Sequence, residues 1–129
     1  MDTIKLLAKG EWRKMDKKIF ISASYYKQRY YANPEFDDVP VEIRNEMRAL
    51  CIMLAEKLHG IVSVGFYSNG DIFFEAMAEE SDYEYDEIGA HLEIKQIEKE
   101  KSKTLKALRL WYLMYKTEYG DKMRDMISE

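Results

Sequence analysis

A chain of 129 residues suits one domain, and 47% hydrophobic with 34% charged residues fits a packed, water-exposed fold rather than a disordered chain. No apolar run approaches the roughly 20 residues of a membrane-spanning helix, and no long apolar core follows Met1 to Ala8 as it would in a secretory leader, so the expected location is cytoplasmic, away from any membrane. The net charge of −4 conceals +5 over residues 1–31, −12 over 32–93 and +3 over 94–129, and an acidic chain without a broad basic footprint disfavours a protein devoted to phosphate backbones.

Asp2 or Thr3 can cap a short helix through Lys9, with Ile4, Leu7 and Ala8 on one side and Gly10 as its stop. Residues 1–17 are set apart as an N-terminal extension of a single domain covering 1–129. The apolar run Ile19-Phe20-Ile21 predicts a strand over 18–23. Ser24 then offers a cap for a turn or two of helix across Tyr25 to Tyr31, stopped near Asn33-Pro34 because proline disfavours helix in the residue before it; a strand is the alternative here. Four tyrosines around Lys27 and Arg29 are also able to stack single-stranded bases. Tyr25, Lys27, Arg29 and Tyr30 are therefore the candidate nucleic-acid contacts, while half-buried packing against the sheet is the plainer use of the same tyrosines.

Asp37-Asp38-Val39-Pro40 reads as a helix start, with acids before the first turn and a proline whose missing N–H costs nothing there. Ile43, Met47, Leu50, Leu54 and Leu58 recur at three- and four-residue steps, and His59-Gly60 closes a helix over 40–59. Cys51 lies beside this stripe and reads as a core residue rather than a nucleophile. As the single cysteine it cannot form a disulfide within the chain.

Gly60 to Ala78 carries the strongest local signal, a β-hairpin turning at Asn69-Gly70. A two-residue turn would set Glu75 opposite Val64 and place a carboxylate in the apolar face. A three-residue Ser68-Asn69-Gly70 turn, with Gly70 left-handed, instead pairs Phe66 with Ile72, Val64 with Phe74 and Val62 with Ala76. That register makes one face wholly apolar, with Phe74 inside and Phe73 on a half-wet second face.

Glu79 to Glu87 holds six acids in nine residues. A calcium loop needs a glycine at its turn and a late bidentate glutamate, and this segment lacks that spacing, so it reads as a solvated loop whose last acids favour the next helix N-terminus. From about Asp86 to Tyr119 the pattern is one long helix, apolar at Ile88, Leu92, Ile94 and Ile97, polar from Glu98 to Lys103, and apolar again at Leu105, Leu108, Trp111, Tyr112 and Tyr115. The polar waist implies two different partners for the two ends, or a bend. Gly120 is expected to end the helix, leaving 120–129 as a weakly ordered tail.

The resulting fold class is α+β: a small antiparallel sheet of a strand plus the hairpin, packed against two main helices of which the last is long. The sequence offers no catalytic residues, no metal ligands and no cofactor motif: two histidines on separate helices, one cysteine, six isolated glycines and no zinc spacing. An interaction role, leaning away from catalysis, follows by elimination. Leu108, Trp111, Tyr112 and Tyr115 lie in an apolar stretch spread nearly all round the last helix, more than one sheet face can bury, which makes them the candidate anchors of a homodimer or of another protein partner. The competing arrangement has Ile4, Leu7 and Trp12 fold back over the same surface. Nucleic-acid association through the basic, aromatic first third is the alternative function.

The segments YYKQRYYANPEF at 25–36, VPVEIRNEMRALC at 39–51, the hairpin and YDEIGAHLEIKQIEKEK at 85–101 together resemble a small family of uncharacterised proteins from clostridial gut bacteria, known only as a domain of unknown function. The resemblance spans about residues 18 to 115. It implies a bacterial, cytosolic origin and supplies no functional residues.

Overall fold

The computed structural model describes residues 16–128, with side chains through Met126. Four strands form one antiparallel sheet: β1 (Lys17–Ser24), β2 (Arg29–Ala32), β3 (Ile61–Tyr67) and β4 (Ile72–Met77), in the order β2-β1-β3-β4. Four helices follow the same numbering in chain order: α1 (Val41–Leu58), α2 (Glu87–Glu100), α3 (Ser102–Tyr115) and α4 (Glu118–Ser128). The expected helix through Lys9 lies outside the described residues.

The helical reading of Tyr25 to Tyr31 is corrected to a turn followed by β2. Gln28 takes a left-handed conformation with φ 52°, which ends any helix there, and its side chain donates to the Tyr25 carbonyl at 2.6 Å. The chain then runs back along β1, setting Arg29 opposite Ser24, Tyr31 opposite Ser22 and Ala32 opposite Ile21. β1 had a free edge, and two consecutive tyrosines suit a pleated surface better than a helix. A register shift between Ile19 and Ile21 on the β3 side marks a bulge, so Phe20 and Ile21 are both buried although they are neighbours.

The β3–β4 hairpin has the register that core burial demands: Val62 opposite Ala76, Val64 opposite Phe74, Phe66 opposite Ile72. Gly70 has φ 91°, and its N–H donates to the Tyr67 carbonyl at 2.9 Å, closing the three-residue loop. The two phenylalanines differ from expectation. Phe73 is buried and Phe74 only partly so. Phe73 pairs with Gly65 and its ring occupies the space a Gly65 side chain would need, with the Lys17 ammonium 4.5 Å above it and the Tyr67 ring 5.5 Å away. An aromatic lying over a cross-strand glycine covers exposed backbone, a pairing that alternation of apolar and polar residues does not reveal.

After β2, Asn33 donates from Nδ2 to the Ile19 carbonyl at 2.8 Å and accepts the Glu35 N–H at 3.0 Å. This fixes a 3-10 turn at Pro34–Phe36 and sends Phe36 inward, 6.0 Å from Phe20 and 4.9 Å from Phe66. α1 begins where its sequence signals place it, with the Arg44 N–H donating to the Pro40 carbonyl at 3.0 Å. It ends at His59, which takes the left-handed position with φ 54°. Met47, Leu50, Cys51, Leu54 and Ala55 form its buried stripe.

The single long helix expected over 86–119 is corrected to three helices. The bend option of the polar waist is the one realised: Lys101, at φ −101° and ψ 16°, separates α2 from α3. Its ammonium and the Thr104 hydroxyl both reach the Glu46 carboxylate of α1, at 3.2 and 3.4 Å to one oxygen. The second break follows Tyr115. There Thr117 donates its hydroxyl to the Leu113 carbonyl at 2.6 Å and accepts the Gly120 N–H at 3.3 Å. Gly120 therefore terminates nothing and sits inside α4, which continues to Ser128 where a tail was expected. A Cβ on Gly120 would lie 2.2 Å from the Met114 carbonyl oxygen, so its role is to let α4 fold closely against the end of α3. No described helix is long and apolar enough to cross a membrane.

Candidate interaction surface

The helices gather on one face of the sheet. α1 packs on β1 and β3, and α2 on β4, while Leu108, Trp111 and Tyr112 of α3 join the cluster around Phe66. The register sorts the rest: Ile19, Tyr31, Ile61, Tyr67, Phe73 and Met77 share the opposite face with Ser22, Ser63 and Glu75. No described helix covers that face. Ser22 and Ser63 satisfy each other across β1 and β3, with their hydroxyl oxygens 2.8 Å apart, and Lys17 reaches across to Glu75 at 2.8 Å. Polar groups are thus paired within the face, and Tyr31 and Met77 stand 52% and 48% exposed on its two edge strands.

The anchors expected on the last helix are placed differently. Leu108, Trp111 and Tyr112 are buried, with Tyr112 stacked on Phe66 at 4.5 Å and Trp111 at 6.4 Å from the same ring. They hold the protein's own core, which corrects their reading as exposed contacts in the folded chain. The cause is the break at Lys101: a straight helix would carry the aromatic end past the sheet, whereas the bent one lays it across Phe36 and Phe66. Tyr115 remains 57% exposed, 6.1 Å from Trp111 and beneath the Arg124 guanidinium. The fold-back of Ile4, Leu7 and Trp12 lies outside the described residues.

The candidate nucleic-acid contacts fall into two shallow pockets, one lined by Tyr25, Arg29 and Tyr30 and the other by Lys27, Arg29 and Tyr30, rather than one stacking platform. Tyr25 stacks on His59 at 4.4 Å. Tyr30, paired with Ala23, points to the helix-covered side and lies 5.5 Å from the Arg48 guanidinium. Lys27 and Arg29 are exposed, with Arg29 on the uncovered face opposite Ser24. Of the other basic residues in this third, Lys17 is held by Glu75 and Lys18 by Glu35 at 2.6 Å, the latter hydrogen bond and charge raising the Lys18 pKa. Lys9, Arg13 and Lys14 lie outside the described residues. The acidic segment reaches this region as well: Tyr26 donates to Asp82 at 2.6 Å, a bond that holds the phenol protonated and raises its pKa.

The remaining acids of that segment shape its own chain. Asp82 accepts the Glu84 N–H at 3.1 Å, and Asp86 caps α2 by accepting the Gly89 N–H at 2.9 Å. Among the described residues no three His, Cys, Asp or Glu side chains converge in a way that could hold a metal. Cys51 is fully buried in α1, and burial pushes its thiol up to about 12. Since the thiolate is the reactive form, iodoacetamide at pH 8 is expected to leave Cys51 unmodified in the folded protein and to alkylate it in urea. Rapid labelling without denaturant, read by mass spectrometry, would show that α1 opens locally.

Sequence reasoning missed Tyr31, Ile61 and Met77 as surface candidates. The alternation of the hairpin marks Tyr67, Phe73 and Met77 as the half-wet face opposite Val62, Val64 and Phe66, but that Tyr31 joins them depends on the pairing of β2 with β1, which no local pattern encodes. No curated protein matches the chain, and no solved structure does. Residues 17–120 match the model of a family of unknown function, DUF6145, a span that runs from the first residue of β1 into the first turn of α4, and the chain belongs to that family.

Proposed function

We propose that this protein is an interaction module that docks a partner on the uncovered face of its sheet, and that the first partner is a second copy of itself. The observation that carries the reading is a face on which Ile19, Tyr31, Ile61, Tyr67, Phe73 and Met77 are aligned by strand register with no described helix over them. Antiparallel sheets tolerate a solvated face when it is polar; this one carries apolar side chains on both sides of the central row of Ser22, Ser63 and Glu75. Scattered exposed apolar residues elsewhere, such as Leu110 and Ile88, are normal for a surface, whereas exposed Ile19, Tyr31 and Met77 on one uncovered sheet face are of the kind that marks a contact. Two such faces stacked at about 10 Å would complete a sandwich, and closed two-fold pairs are the commonest assemblies.

The nucleic-acid reading has weaker support, because Lys17 and Lys18 lie on different faces and each is already neutralised. Light scattering at micromolar concentration is expected to give the mass of a dimer, and Tyr31→Glu combined with Met77→Lys to give a monomer with an unchanged circular dichroism spectrum. Both positions are about half exposed, so the substitutions spare the core. A monomeric wild-type protein, or a double variant that stays dimeric, rejects this surface.

A further inference from the structure

The geometry points to a small-anion site, for a phosphate or a carboxylate, in the pocket between β2 and the first two turns of α1, with Arg44 and Arg48 as its cationic wall. The pocket encloses about 200 Å³ and is lined by Tyr30, Asn33, Asp37, Arg44, Asn45 and Arg48 over a floor of Phe20 and Ile21. Its volume is below the roughly 300–1,000 Å³ of sites for drug-sized ligands, so the occupant is small. Residues 32–93 carry only three basic side chains against fifteen acidic ones, yet two of those three line this one pocket. Among the described residues neither guanidinium forms an ion pair with a carboxylate: Arg48 meets Asn45 Oδ1 at 3.1 Å and the Tyr30 hydroxyl at 3.5 Å, both neutral. Arg44 Nε is buried and has no hydrogen-bond partner.

Two like charges four residues apart on a helix repel each other, and a buried N–H without an acceptor is destabilising. An anion accepting from the two guanidiniums relieves the repulsion, and a small turn of the Arg44 side chain toward it gives its Nε an acceptor as well. Arginine forks match the paired oxygens of phosphate and carboxylate alike, and Asn33 and Asn45 add amide donors at the rim. Asp37 on the opposite wall repels a bare anion. It therefore favours a ligand that brings a hydroxyl or ammonium donor beside its anionic group. The site is independent of the uncovered sheet face, since Tyr30 and Ala32 lie on the helix-covered side of β2.

The test is a titration of the full chain with inorganic phosphate and, in a parallel arm, with glycine as a carboxylate carrying an ammonium. Amide chemical shifts and melting temperature are followed at constant ionic strength. Saturable shifts centred on Arg44, Asn45 and Arg48, with a rise in melting temperature, are expected in at least one arm, and the responding arm names the ligand chemistry. Arg44→Gln and Arg48→Gln should each weaken that binding by about tenfold or more, while Lys103→Gln, an exposed cation on α3, should not. No saturable response in either arm, or equal binding by both arginine variants and the parent, overturns the site. Circular dichroism separates lost binding from lost folding, and if one glutamine variant unfolds the other still decides.

Discussion

Replacing Phe66 by alanine is expected to remove about 3–5 kcal/mol of stability, the range for truncating a buried phenylalanine. Its ring is the point where the elements meet: Phe20 of β1 lies 5.8 Å away, Phe36 of the 3-10 turn 4.9 Å, and Tyr112 and Trp111 of α3 4.5 and 6.4 Å. Phe66 is fully buried, so nothing on the surface can relax into the cavity, and three separate segments lose their common contact. Against a total stability of about 5–15 kcal/mol for an ordinary domain, that loss brings the protein near the unfolding threshold. Urea denaturation followed by tryptophan fluorescence measures it, because Trp111 reports on the same cluster. Phe66→Leu should recover more than half of the loss, and a loss below about 1 kcal/mol for alanine would mean that the cluster is not the common core.

The same cluster shows where sequence is informative and where it stops. The hairpin register was decided by one carboxylate: only the three-residue loop keeps Glu75 off the face of Val62, Val64 and Phe66, and that is the register found. The stripe of α1 was equally legible, since Met47, Leu50 and Leu54 share one side of any helix drawn through them. Tyr25 to Tyr31 stays open between helix and strand because a serine cap, polar residues and aromatics suit both; the strand alternative is realised at β2, where the free edge of β1 decides it, and an edge is a tertiary feature. The last helix failed for a related reason. Local propensity is helical on both sides of Lys101 and of Lys116, and the contacts made at the first bend, Glu46 with Lys101 and Thr104, come from 55 and 58 residues away in sequence. With the bend left as one of two options, Leu108, Trp111 and Tyr112 looked surplus to the core when they complete it, and exposed apolar side chains stand instead on the sheet face that no described helix covers.

Gly65→Ala is expected to destabilise the protein by about 1–3 kcal/mol, the usual range for overpacking, although the general effect of this substitution runs the other way. Gly70 is the one described glycine with positive φ, so Gly65 has a backbone conformation that alanine can adopt. At such a position the loss of unfolded-state freedom alone would stabilise by about 0.4–1 kcal/mol. Sterics reverse the sign. An added Cβ would sit 2.1 Å from the Lys18 carbonyl oxygen and 2.6 Å from the Phe73 ring. The ring can rotate away at the cost of its packing over β3, but the carbonyl belongs to β1 and can move only by disturbing the strand beside the bulge at Ile19 to Ile21. The two obstacles are separable by a double-mutant cycle. Phe73→Ala should itself cost a few kcal/mol, since the ring is buried despite lying on the uncovered face. If the ring is the main obstacle, the double variant Gly65→Ala/Phe73→Ala should be no less stable than Phe73→Ala alone; if the Lys18 carbonyl is, the two losses add. Additive losses are the expected result, because 2.1 Å to a backbone oxygen is the closer and stiffer contact. A single variant Gly65→Ala as stable as the parent would show that β1 and β3 are further apart at this row than the register of the bulge requires.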